Sequence, residues 1–242
     1  MVDWDNFLLE HPDVPGTEET WTRQLADTLR ITDPIEFSGS FETHFTISVL
    51  FQRTDGVELL RAWAETHSMK FTHIVLDRGL IASQPMVTRY GSGTLSDQLA
   101  EADRIKRELE SARFDVCRVK VEASIDNADV PRTKDEARRV MYFEHHIKLL
   151  LPKDFDPANL TPISKPHGAR LSQNARRVRD DGLIERFLTQ RCYGCGRDEA
   201  HERLDRLVKA IPPEYRILEV EEEYVVHDRD DRIDSDWMGK KS

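Results

Sequence analysis

Cysteine is scarce in this chain. Cys117, Cys192 and Cys195 are the only three among 242 residues, an odd and small number that excludes the secreted scaffolds in which disulfides replace a core. No apolar run reaches the ~20 residues of a membrane-spanning helix. Met1-Val2-Asp3-Trp4-Asp5 is acidic where a secretory leader is basic and then apolar, so a cytoplasmic protein without a membrane partner is expected. A surplus of positive charge is missing too. The 45 acidic residues outnumber the 35 Lys and Arg, for a formal charge of -10, and this argues against broad nucleic-acid binding, which needs a basic field to displace counterions.

What the chain does have is a repeat. Phe41-Glu42-Thr43-His44-Phe45-Thr46-Ile47 returns about a hundred residues later as Phe143-Glu144-His145-His146-Ile147-Lys148-Leu149. Arg78-Gly79 with Ser83-Gln84 returns as His167-Gly168 with Ser172-Gln173, and Tyr90-Gly91-Ser92-Gly93 as Tyr193-Gly194-Cys195-Gly196. Matches in one order at one offset are the mark of a duplicated unit.

Within the first copy, Phe41 to Leu50 alternates as a strand, with Phe41, Phe45, Ile47 and Val49 on one face and Glu42, His44, Thr46 and Ser48 on the other. A helix through Val57, Leu60, Trp63 and Ala64 follows, then strands at Phe71 to Leu76 and Met86 to Tyr90. A helix through Leu95, Leu99, Ala102, Ile105 and Leu109 leads to a closing strand, Phe114 to Ala123. This is the order of a ferredoxin-like βαββαβ unit. The second copy repeats it from Tyr142 to His227, with a shortened helix after Asp156-Pro157 and a basic insertion at Asn174 to Gly182. The expected architecture is therefore α+β: residues 1–36 a helical extension (helix Glu18 to Leu29), 37–124 and 141–228 two repeats with separate antiparallel sheets related by a pseudo-twofold axis, 125–140 a linker and 229–242 a polar tail.

In each copy the strand bearing Glu-x-His should lie beside the closing strand. Glu42, His44 and Thr46 then share a surface with Arg118, Lys120 and Glu122, while Glu144, His146 and Lys148 share one with Glu219, Glu221 and Glu223. If the helix-free faces meet, these side chains line one hollow, where they must be paired, metal-bound or wetted. As acid-base groups, His44 and His146 titrate near neutrality and Glu42 and Glu144 orient them. As a metal site, the same four residues offer two imidazoles and two carboxylates to a divalent zinc, iron or manganese ion. Spacing does not separate the two. A bland alternative is a polar sheet face turned to water, or one that pairs two copies as a homodimer.

His44-Phe45-Thr46 also resembles the His-x-Thr motif of the two-histidine phosphoesterases, whose two motifs face each other across a pseudo-symmetric cleft. The resemblance implies that His44 and His146 act as acid and base in phosphoester cleavage, with Thr46 and Lys148 on the phosphate. Lys148 stands where that family has Thr or Ser.

Arginines crowd the second copy near its repeated signatures, and forked guanidinium groups suit a carboxylate or phosphate. Arg170 and Arg191, with His167, Arg78 and Arg89, are the expected anion contacts, supported by Lys120, Glu122 and Glu223 on the closing strands. The reading from sequence is thus an enzyme acting on a small anionic molecule, or a binding protein using the same cavity. Cys192-Tyr193-Gly194-Cys195 is a CxxC, but Cys195 aligns with Ser92, so a small residue in a turn is expected there rather than a redox pair.

Overall fold

A computed structural model describes residues 36–48, 55–76, 81–138, 140–178 (backbone only for 173–178), 182–229 and 233. The expected N-terminal helix, Arg78 and most of the polar tail lie outside these residues.

In chain order the elements are β1 (Ser38–Ile47), α1 (Gly56–Thr66), β2 (Lys70–Leu76), β3 (Ser83–Thr94), α2 (Leu95–Ser111) and β4 (Val116–Ser124). Then come β5 (Tyr142–Pro152), α3 (Thr161–Ser164), β6 (Ala169–Val178), β7 (Leu183–Tyr193), α4 (Arg197–Ala210) and β8 (Arg216–Arg229). Every strand pairing is antiparallel. The fold is mixed α and β, as the alternating periodicities required.

The expectation of two separate sheets needs correction. All eight strands form one closed barrel in the order β1-β3-β2-β6-β7-β5-β8-β4. Each half contributes four strands in the same internal order, and the halves join edge to edge, β4 to β8 and β2 to β6. The physical reason is that two open four-stranded sheets leave four edges of unpaired backbone, and closure satisfies them all. Bending is helped by register shifts at Thr46/Ile47 in the β1–β4 pair and at Lys148/Leu149 in the β5–β8 pair, since an extra residue curls a strand.

The apolar cores lie outside the barrel, between each half-sheet and its own helices. Phe45, Ile47, Val87 and Val119 pack against Leu60, Ala64, Ala102, Ile105 and Leu109 in one cluster. Ile147, Leu149, Leu151 and Leu188 pack against Leu204, Leu207 and Ile211 in the other. Cutting any fully buried Leu of these sets to Ala costs about 2–5 kcal/mol.

Helix α2 presents Leu95, Gln98, Ala102, Ile105 and Leu109 inward, and Thr94 starts it: its hydroxyl accepts from Asp97 N, while Asp97 Oδ2 accepts from Thr94 N. Helix α4 starts at Gly196, where a Cβ would stand 2.2 Å from the Arg132 carbonyl oxygen, so the linker's close approach demands glycine. The paired Tyr-Gly-x-Gly signatures are not equivalent in register. Gly91 and Gly93 lie inside β3, whereas Gly194 and Gly196 follow β7. No helix among the described residues is long and apolar enough to cross a membrane.

Candidate active site in the barrel interior

Because the apolar side of every strand is spent on the helices, alternation sends the polar side into the barrel. An eight-stranded barrel is narrow enough for side chains to fill, yet here a cavity of about 390 Å³ remains. Its walls include Glu42, His44, Thr46, Lys120, Glu144, His146, Lys148, Arg191 and Glu223. The register is the one the sequence implied: His44 lies across from Lys120 and Thr46 from Arg118, while His146 faces Glu221 and Lys148 faces Glu219.

The two histidines occupy matching positions with unlike surroundings. His44 Nδ1 lies 2.8 Å from Thr88 Oγ1, and its Nε2 lies 2.5 Å from Glu122 Oε2. His146 Nδ1 lies 3.0 Å from Thr189 Oγ1, but its Nε2 is 3.7 Å from Glu223 Oε2. Accessible surface is also unequal, 23% of the side chain for His146 against 12% for His44. His146 is thus the imidazole better placed to touch a ligand.

Glu42 and Glu144, expected to orient the histidines, do other work. Glu42 stands 4.0 Å from His44 Nε2, beyond hydrogen-bond reach, and Glu122 on the closing strand takes its place. Glu144 accepts from Lys120 Nζ at 2.7 Å and from Arg191 Nε at 2.8 Å. Lys120 Nζ is also 2.5 Å from Glu122 Oε1, an ion pair whose angles fall outside hydrogen-bond geometry. One ammonium therefore bridges carboxylates from the two halves of the barrel.

Electrostatics follow from this packing. Burial drives the His146 imidazole down to about 4, only partly opposed by Glu144, so the ring is neutral at pH 7. Burial likewise pushes Glu223 well above the usual carboxylate range, and the neighbouring Glu122 charge adds to the effect. Burial also raises Glu42 and Glu221. In Glu122 and Glu144 the same burial is overcome by neighbours, the Lys120 ammonium and the hydrogen bond with His44 for the first and Arg191 and Lys120 for the second, and both are held low. At the barrel wall Arg118 grips Asp228 with two hydrogen bonds of 2.8 and 2.7 Å, and Tyr142 donates to the same carboxylate at 2.7 Å.

Several expected contacts lie elsewhere. Arg89 turns to α2, donating to Gln98 Oε1 and pairing with Glu101. His167 sits in a 3₁₀ turn before β6, and its carbonyl accepts from Gln190. Arg170 lines a separate, smaller cavity. The metal quartet is also redrawn: among the described residues, Glu122, Glu144 and His146 bring ligand atoms within 4.8 Å of one another, without Glu42 or His44. That donor set suits a divalent ion, but the Lys120 ammonium already bonds two of its three members.

Thr88 and Thr189, which hold the imidazoles, went unnoticed in the sequence. They sit opposite His44 and His146 in the β1–β3 and β5–β7 ladders. Thr88 precedes Tyr90 by two residues and Thr189 precedes Tyr193 by four, so aligning the Tyr-Gly signatures hides the match. Counting outward from the Glu-x-His strands would have found it.

No protein-family model matches this chain. No curated protein matches its sequence either. Among solved structures it is similar to chlorite dismutase from Candidatus Nitrospira defluvii in complex with imidazole, at 12% identity, covering 84% of this chain and 96% of that one, with a TM-score of 0.27. It is also similar to a proposed chlorite dismutase (12% identity, 78% and 96% covered, TM-score 0.26). A proposed monooxygenase from Lactobacillus acidophilus NCFM is matched at 14% identity, with 78% and 93% covered and a TM-score of 0.25. At such distances no chemistry carries across.

Proposed function

We propose that this chain is an enzyme of acid-base type, acting inside the barrel on a small molecule that carries a carboxylate or phosphate-ester group. The reading rests on one juxtaposition. A neutral imidazole, His146, stands 3.7 Å from a carboxyl group, Glu223, whose proton affinity burial raises well above the usual carboxylate range, and both border the cavity. Two titratable groups whose surroundings push their proton affinities apart form an acid and a base ready for opposite roles.

In the proposed step His146 Nε2 takes a proton from the substrate and Glu223 gives one to the oxygen on which charge develops. A proton passed from His146 to Glu223, directly or through a water, restores the starting state. Lyase and hydrolase reactions both fit that sequence. His44, backed by the Glu122 carboxylate, orients the substrate from the opposite half of the barrel. The identical strand order in the two halves supports descent of the fold from one duplicated βαββαβ unit.

A second reading, phosphoester cleavage of the two-histidine kind, is favoured by Thr46 and Lys148 bordering the same cavity as both histidines. A third is a sensor that binds without turnover. The test is a turnover screen of small carboxylates, phosphate monoesters and cyclic phosphodiesters with wild type, His146→Asn and Glu223→Gln. Turnover that falls at least 100-fold in both variants supports the proposal. Cleavage confined to phosphodiesters and dependent on His44 and His146 but not Glu223 selects the second reading, and binding without product selects the third.

A further inference from the structure

Inside the barrel the cations are largely engaged by the protein's own acids: Lys120 and Arg191 on Glu144, Arg118 on Asp228, and Lys148 between Glu185 and Glu219 at 3.5 and 3.6 Å. The interior is therefore poorly furnished to hold the anionic group of a substrate. A neighbouring hollow of about 140 Å³ has the opposite character. Lys165, Arg170 and Arg186 line it together with Thr161, Ser164 and Ser172, and none of the described residues that line it is acidic. Leu76 and Ser172 belong to the walls of both hollows, so the two adjoin.

Arg186 carries the strongest indication. Its Nε is buried and has no hydrogen-bond partner among the described residues, an arrangement that costs free energy unless an acceptor arrives. Burial lowers the guanidinium's proton affinity, and no acidic neighbour among the described residues offsets it. A hollow of this volume has room for several waters, each occupying about 30 Å³, or for one tetrahedral oxyanion. Guanidinium forks and hydroxyl donors are the groups that recognise such an ion.

We infer that this basic hollow beside the β2–β6 seam is an oxyanion subsite, taking the phosphoryl or carboxylate group of the ligand whose remainder occupies the barrel. That last clause rests on the function proposed above, whereas anion binding itself does not.

The probe is inorganic phosphate, with acetate as the carboxylate arm, titrated by calorimetry and thermal shift at constant ionic strength into wild type, Arg186→Gln, Arg170→Gln and His146→Asn. An exposed-site control, Arg61→Gln on α1, reports general charge effects. Wild type, Arg61→Gln and His146→Asn are expected to bind phosphate alike, and Arg186→Gln to bind at least tenfold more weakly, with a smaller loss in Arg170→Gln. Equal binding by Arg186→Gln and the control would overturn the subsite, as would no saturable binding to folded wild type. If Arg186→Gln does not fold, Arg186→Lys, which keeps the charge but loses the fork, is expected to lose several-fold, and unchanged binding there would also overturn it. Phosphate binding with no turnover of any substrate would retain the subsite and remove the acid-base reading.

Discussion

Glu122 reaches across from β4 to place its Oε2 2.5 Å from His44 Nε2, while its Oε1 stands 2.5 Å from Lys120 Nζ. One fully enclosed carboxylate thus serves both an imidazole of the first half and the ammonium that bridges to the second. Replacing it by Gln keeps the shape and removes the charge. Glu122→Gln is expected to lower stability by about 3–5 kcal/mol, because a buried cation loses a partner. Urea denaturation of this variant beside Glu58→Gln on the exposed face of α1 checks it, and similar small shifts in both would mean that the interior network contributes little.

Lys120 occupies the centre of the one candidate metal cluster among the described residues. Lys120→Met should therefore destabilise the protein in metal-free buffer by about 3–5 kcal/mol, yet bind zinc or manganese more tightly than wild type does. The expected gain is at least tenfold by calorimetry, together with a metal-dependent recovery of thermal stability. Equal affinity in the two proteins would show that the ammonium and a divalent ion do not compete.

Stability should depend on pH through His146. Its proton affinity in the fold corresponds to about 4, against 6.5 ordinarily, so between these values the unfolded chain binds the proton first. The stabilisation is whole above pH 6.5 and is lost as pH falls toward 4. Glu223 runs the other way: raised from 4.5, its contribution is whole below that value and lost as pH rises through the folded one. His146→Asn should flatten the acid-side loss by about 3 kcal/mol, and Glu223→Gln should flatten the decline at higher pH. Urea midpoints at half-unit pH steps measure both, and an unchanged acid slope in His146→Asn would assign the acid lability to other groups.

The two threonines offer a matched pair of substitutions. Thr88→Val and Thr189→Val keep side-chain volume and delete the partners at 2.8 and 3.0 Å from His44 and His146. Each should cost about 1 kcal/mol and alter the ring tautomer seen in nitrogen-15 spectra. Spectra unchanged by Thr189→Val would mean that something else fixes the His146 ring.

Alternation along Phe41–Ile47 and Tyr142–Leu149 was enough to foresee which side chains share a face, because a strand has only two. Pairing β1 with β4 followed from the βαββαβ order. Closure into a single barrel was hidden, since it depends on which strand edges meet, and edges carry backbone groups that are alike in every residue. The partner of each carboxylate was hidden for a related reason: Glu42 and Glu122 are neighbours across one ladder, and only the side-chain torsions decide which reaches His44. Arg89 and Arg170 were assigned by proximity to repeated signatures; Arg89 pairs with Thr43, one residue of offset from His44 and so on the opposite face, whereas Arg170 pairs with Thr189 near the start of β6 and its side chain lines the smaller hollow.

The two seams are unequal. Among the described residues, three register pairs join β2 to β6, Ile74 to Leu76 against Ser172 to Asn174, while six join β4 to β8. A cylinder riveted unevenly along two lines parts first along the weaker, and that line runs beside both hollows. Separating those three register pairs would open the wall beside both hollows, with the helices and their greasy undersides left in place.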